Sequence, residues 1–132
     1  MIGLDTNVLV RLVVGDDPQQ AHQARRFVDR YCTPDSPGFI NCVVLAEFVW
    51  LLTGTYGYGR SEIAAAVEGL LAGDDRVVEH HGEVRASLED FKAGRADFAD
   101  ALISHINRAR GCEATATFDR KAARLDGFVR VS

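Results

Sequence analysis

The chain has 132 residues, 47% of them hydrophobic and 26% charged, with only three prolines; this balance predicts one globular domain over residues 1–132, and excludes a disordered or fibrous chain. Nineteen acidic against fifteen basic residues leave a formal charge of −4, which argues against a simple module drawn to polyanions by its overall field but permits an acidic pocket whose sign divalent cations invert. Cys32, Cys42 and Cys112 match neither zinc nor disulfide spacing, no apolar run approaches the length of a membrane span, and the start MIGLDTNVLVRLVVGDD has no basic leader; a reduced, cytoplasmic setting away from membranes is expected.

In chain order, Ile2 to Asp5 reads as a short buried strand, followed by a helix through Val14 that Gly15-Asp16-Asp17-Pro18 terminates. Pro18 suits the first turn of a second helix, whose apolar positions Ala21, Ala24, Phe27, Val28 and Tyr31 have helical spacing. The turn formers TPDSPG lead to a strand at Phe39-Ile40, and Asn41 is a good N-cap for the apolar helix CVVLAEFVWLL, which Gly54 and Gly57 end. Ser61-Glu62 opens a helix through Leu71, Gly73 stops it, and Val77-Val78 makes a third strand. Val84, Leu88 and Phe91 mark a helix running to Gly94, and Asp97 starts another carrying Phe98, Leu102, Ile103, Ile106 and Ala109. Cys112 to Phe118 reads as a fourth strand, Asp119 to Leu125 as a short helix and Phe128 to Val131 as a last strand. Such alternation predicts a three-layer α/β/α fold with a central, mostly parallel sheet of four or five strands, and ligands beyond the carboxyl ends of those strands.

Four acidic positions stand apart from the surface charge. Asp5 ends the first strand, Glu47 lies inside the apolar helix, Asp100 falls in the first turn of its helix, and Asp119 follows the fourth strand. Carboxylates without histidine or thiolate favour a hard ion that seeks oxygen, Mg²⁺ or Mn²⁺ ahead of zinc. Asp5, Asp97 and Asp119 each also suit a helix cap, and Asp100 suits the positive end of a helix dipole. Glu47, among Val43, Val44, Leu45, Phe48, Val49 and Trp50, is costly unless it faces water, a partner or a metal.

The segments LDTNVLVRLVVGDDPQQ, LAEFVWLL, GRADFADALISHINRARGCEATATFD and DRKAARLDGFVRV, in this order and at these separations, resemble the successive motifs of the PIN-domain VapC toxins over nearly the whole chain. The resemblance implies an endoribonuclease dependent on Mg²⁺ or Mn²⁺, with Asp5, Glu47, Asp100 and Asp119 as its acidic site and Asp97 as an auxiliary. It further implies that Asn7 and Thr117 orient the acidic residues, although both also fit local turn chemistry. As implied partners it brings an RNA substrate, a second copy of the chain in a homodimer, and a VapB-like antitoxin that inhibits.

Other candidates carry less. His80 and His81 are adjacent and lack ligand spacing, and His22 and His105 read as helix-surface or partly packed residues. Lys92 and Arg95 read as a solvated charged face before any grip on phosphate. Trp50 and Tyr56 read as core or dimer contacts, and the apolar run Val43 to Leu52 with Tyr56 and Tyr58 offers more hydrophobic surface than a small core needs. An aspartate-nucleophile phosphatase would need a second Asp where this chain has Asn7, and a dinucleotide-binding protein would need a glycine-rich loop after the first strand. The alternative of another class is a catalytically idle PIN-like protein that only binds partners; its mark would be lost acidic residues, and they are present.

Overall fold

The computed structural model describes residues 1–132. Strands and helices alternate as β1 (Ile2–Gly3), α1 (Thr6–Val13), α2 (Pro18–Tyr31), β2 (Gly38–Ile40), α3 (Cys42–Gly54), α4 (Arg60–Ala72), β3 (Arg76–Val78), α5 (His81–Lys92), α6 (Phe98–Ala109), β4 (Thr115–Thr117), a 3₁₀ turn at Ala122–Arg124, and β5 (Phe128–Arg130). Every strand pairing is parallel, so each strand must return by a crossover, which the helices supply. The fold is α/β as the alternation predicts, and its five strands are hydrogen-bonded as a three-stranded sheet, β1-β2-β3, and a two-stranded one, β4-β5. The sheets belong to two compact units, Met1–Glu79 and His80–Ser132.

In the first unit, Ile2 pairs with Gly38 and Gly38 with Arg76. Gly38 is required by close approach: a Cβ there would lie 2.9 Å from Leu4 Cδ1 and 3.0 Å from Cys32 Sγ. Helix starts are fixed by short side chains, since Asp17 Oδ1 accepts from Gln20 N at 3.0 Å and Asn41 Oδ1 from Val44 N at 2.8 Å. Leu9, Ile40, Leu45, Phe48, Leu52 and Val67 are fully enclosed. Along α2 the expected core stripe is narrower than its spacing suggests. Val28 is buried and Ala21 and Ala24 are half-buried, but Phe27 and Tyr31 are 42% and 44% exposed. Trp50 is likewise no core residue, being 71% exposed, whereas Tyr56 and Tyr58 are half-buried rather than an open aromatic run.

In the second unit, α5 packs on α6 through Val84, Leu88, Phe91, Phe98 and Leu102, with Phe91 and Phe98 edge to face at 6.2 Å between ring centroids. The fourth strand begins at Thr115, not Cys112. Residues before it serve the exit from α6: Gly111 adopts φ +104°, Cys112 N donates to Asn107 O at 3.0 Å, and Asn107 Nδ2 donates to Thr115 Oγ1 at 2.9 Å. The expected helix at Asp119 to Leu125 is only a 3₁₀ turn, closed by Arg124 N to Lys121 O and Leu125 N to Ala122 O before Gly127 turns the chain at φ +90°. No helix is long and apolar enough to cross a membrane.

Candidate functional site

In the first unit the sequence after β1 turns sharply into α1, which makes Asp5 the N-cap residue. Its backbone is extended (φ −80°, ψ 162°), and Oδ1 accepts from Thr6 N at 2.8 Å. The side chain is exposed, as is Asn7 in the first turn of α1. Beside them the Thr6 hydroxyl is buried without a hydrogen-bond partner, an unmet polar group of the kind usually satisfied by ordered water or ligand.

Glu47 stands on the solvent side of α3. Cys42, Leu45, Phe48, Val49 and Leu52 face the core, whereas Val43, Glu47 and Trp50, spaced four and three residues apart, are exposed on one stripe. The cost of burying this carboxylate is therefore avoided. The start of α3 is anchored by a residue that sequence reasoning missed: Glu79, just after β3, accepts from Cys42 N through Oε1 at 2.9 Å, and its own N–H donates to Ile40 O at 2.8 Å. A carboxylate at a helix N-terminus also complements the dipole. Nothing in a lone Glu after a strand announces a partner 37 residues away.

In the second unit three aspartates share one neighbourhood. Asp100, in the first turn of α6, is half-buried, and burial pushes its carboxyl above the ordinary value. The negative charges of Asp97 and Asp119 push in the same direction, and Lys121 opposes them. Asp97 holds the N-cap position of α6 but makes no cap hydrogen bond; this corrects the expectation that its oxygen serves the helix start. Its nearest charged partner is Lys121 Nζ, 4.0 Å from Oδ1. Asp119 makes backbone contacts that Asp97 lacks: Oδ1 accepts from Lys121 N at 2.8 Å and Ala122 N at 3.3 Å. Thr117 Oγ1 accepts from Asp119 N at 3.0 Å, a local turn contact beside Asp119.

Within neither unit do three or more His, Cys, Asp or Glu side chains gather tightly enough to hold a metal ion by themselves. Asp97, Asp100 and Asp119 interact through charge, with Asp119 and Asp97 exposed and only Asp100 partly enclosed. The residues set aside in the sequence find ordinary roles. His105 Nε2 lies 2.8 Å from Asp90 Oδ2, which also tethers Arg95 through Oδ1 at 3.1 Å, and Lys92 pairs with Glu89 at 3.7 Å. His80 and His81 are exposed at the start of α5.

A family model described as the PIN domain matches residues 2–128. The chain belongs to the PIN domain family. That match runs from β1 into β5 and so takes in every acidic position considered above. PIN domains are nuclease folds, and PIN nucleases generally use divalent metals and act on nucleic acid. Comparison with curated proteins finds no match to this PIN-domain chain.

Proposed function

We propose that the chain is a single-domain endoribonuclease dependent on Mg²⁺ or Mn²⁺, the toxin of a toxin and antitoxin pair, with Asp5, Glu47, Asp100 and Asp119 as its metal-binding and catalytic carboxylates. The family match over residues 2–128 supports a single domain, because it crosses both compact units. The observation that carries the reading is Asp100: a half-buried carboxyl held among Asp97 and Asp119 by a chain that belongs to a nuclease family. Such crowding of like charge is poorly stable until a cation joins it. The donors are all carboxylate oxygens, which favours a hard divalent ion, Mg²⁺ or Mn²⁺, ahead of zinc.

When bound, such an ion would lower the pKa of water to supply hydroxide as nucleophile and would neutralise charge on the phosphate. The protein's part is positioning. Asp119 is held by two backbone N–H donors and Asp5 by one, so each presents a fixed carboxylate without using the whole group for the cap. Asp100 rides on a helix whose buried face, Phe98, Ala101 and Leu102, leaves it little freedom. No nucleophilic side chain is required, and Asp97 and Asn7 act as auxiliaries. The toxin role, the VapB-like antitoxin, the homodimer and the cytoplasmic setting rest on the resemblance to VapC toxins; the exposed Val43 and Trp50 on α3 supply apolar surface suited to a protein contact.

A fluorogenic RNA assay tests the reading. Hydrolysis with Mg²⁺ and none with chelator is expected. Equal hydrolysis in both would reject the metal dependence, and none with Mg²⁺ or Mn²⁺ would leave the idle partner-binding alternative.

A further inference from the structure

Helix α2 carries its charge against the sign of the whole chain. Between Pro18 and Tyr31 there are three arginines, Arg25, Arg26 and Arg30, and one aspartate, Asp29, in a protein of net charge −4. Gln23, Arg26, Phe27, Arg30 and Tyr31, at offsets of zero, three, four, seven and eight, form one stripe and line a cleft of about 240 Å³ from which Asp29 is absent. Phe27 and Tyr31 lie against each other with ring centroids 4.7 Å apart and planes inclined at 42°, and the Arg30 guanidinium lies 5.3 Å from the Tyr31 ring centre. Arg26 and Arg30 form no ion pair with this chain's carboxylates, whereas Arg11 is tied to Asp16 at 2.7 Å and Gln20 at 2.7 Å. A second cleft, about 310 Å³, is lined by Asn7, Val8, Arg11, Gln20, Gln23 and Ala24. The two share Gln23, so together they run along α2 from Asn7, two residues beyond Asp5, to Tyr31.

We propose that this face of α2 is a track for single-stranded RNA. Exposed aromatic rings beside arginines that no carboxylate of this chain neutralises meet the two demands of a single strand: bases stack on ring faces, and guanidinium groups neutralise the phosphates between them. The amides of Gln20, Gln23 and Asn7 offer both donor and acceptor to base edges or ribose hydroxyls nearer Asp5. From Gln20 to Tyr31 the helix rises about 16 Å, enough for a strand to lie along it. Locally positive charge on an acidic protein also directs a polyanion to this face rather than elsewhere. A protein partner would draw on a continuous apolar surface, and here Phe27 and Tyr31 are flanked by Arg26 and Arg30.

The proposal rests on the nuclease reading for its substrate, and the two are separated by measuring binding without cleavage. The full chain is titrated into a labelled oligouridylate of about 12 nucleotides in chelator, with anisotropy as the readout, at several salt concentrations. Tyr31→Ala is expected to weaken binding about fivefold or more, and Tyr31→Phe to retain it, because the ring face is what stacks. The double change Arg26→Gln with Arg30→Gln is expected to flatten the slope of log K against log salt by about 1.4, at about 0.7 for each phosphate contact to a single strand. All three substituted positions, Arg26, Arg30 and Tyr31, are exposed on α2, and circular dichroism verifies that the variants fold. Wild-type affinity in the Tyr31→Ala and double arginine variants would overturn the track even if the protein cleaves RNA with Mg²⁺. Binding that depends on α2 in a protein that cleaves nothing would uphold the track and reject the nuclease. Failure to bind the oligonucleotide, with self-association that Tyr31→Ala abolishes, would reassign the face to a protein contact.

Discussion

Asp97 and Asn41 occupy the same position at the start of their helices, and the structure separates what each does there. Asn41 Oδ1 accepts from Val44 N at 2.8 Å, part-buried at the start of α3, whereas Asp97 has extended backbone and no cap bond. Asn41→Ala should therefore cost about 1 kcal/mol, which for a chain of this size lowers Tm by about 4 °C. Asp97→Ala loses only the contact with Lys121, 4.0 Å long between side chains 66% and 81% exposed, and an ion pair so open to water and salt is worth less than about 0.5 kcal/mol. Its melting point should fall by less than about 2 °C. Thermal melts of both variants at neutral pH without metal test the contrast. An Asp97→Ala loss as large as that of Asn41→Ala would refute the assignment, because Asp97 would then be spending its carboxylate on the helix rather than keeping it free. In RNA cleavage with Mg²⁺, Asp97→Asn should retain substantial activity, as an auxiliary that is not a principal ligand.

Asp100→Asn should abolish cleavage yet raise stability in metal-free buffer at neutral pH. The native carboxyl binds its proton more tightly than the unfolded one, so the native state loses stability as pH rises from the ordinary carboxylate range, about 3.9, through the raised value, and the amide avoids that loss. The advantage of the variant should vanish in acid, and melts from acid to neutral pH would contradict this if the two proteins ran parallel. Added Mn²⁺ should raise the Tm of wild type and not of the variant. Phe48→Ala, at a fully enclosed position of the helix that bears Glu47, should cost about 3–5 kcal/mol by urea unfolding; a loss below about 1 kcal/mol would mean that α3 is not packed as described. Gly127→Ala should also destabilise, since φ is +90° and a Cβ would press on Ser104 and on Arg108; a Tm equal to wild type would contradict it.

The order of elements was legible because punctuation marks it. Pro18 opens α2, Asn41 caps α3 and Gly73 follows α4, each close to where local chemistry puts it. What was hidden depends on packing. Phe27 and Tyr31 share the helical spacing of core residues, but Val28 with Ala21 and Ala24 already fills the narrow seam that α2 presents inward. Cys112 belongs by propensity to a strand, yet Gly111 and Asn107 draw it into the turn that ends α6. Of the acidic positions, only Glu47 stood out of place in its local pattern; Asp5, Asp100 and Asp119 also suited helix starts, and the motif order singled them out. Their environments were not legible: that Asp100 is partly enclosed while Glu47 is open to solvent, or that Asp97 leaves its cap unused, is set by tertiary structure. Long-range pairs such as Glu79 with Cys42 and Asp90 with His105 leave no trace in spacing at all.

Asp5, Glu47, Asp100 and Asp119 are proposed to act together in metal-dependent cleavage. This proposal is tested most directly by RNA cleavage rates in saturating Mg²⁺ for Asp5→Asn, Glu47→Gln, Asp100→Asn, Asp119→Asn and the double variant of Asp5→Asn with Asp100→Asn. Groups that work as a unit are not additive, so each single change should lower the rate nearly as far as the double one. A single variant that cleaves at the wild-type rate, or a double variant whose loss is the product of two modest ones, would contradict the account.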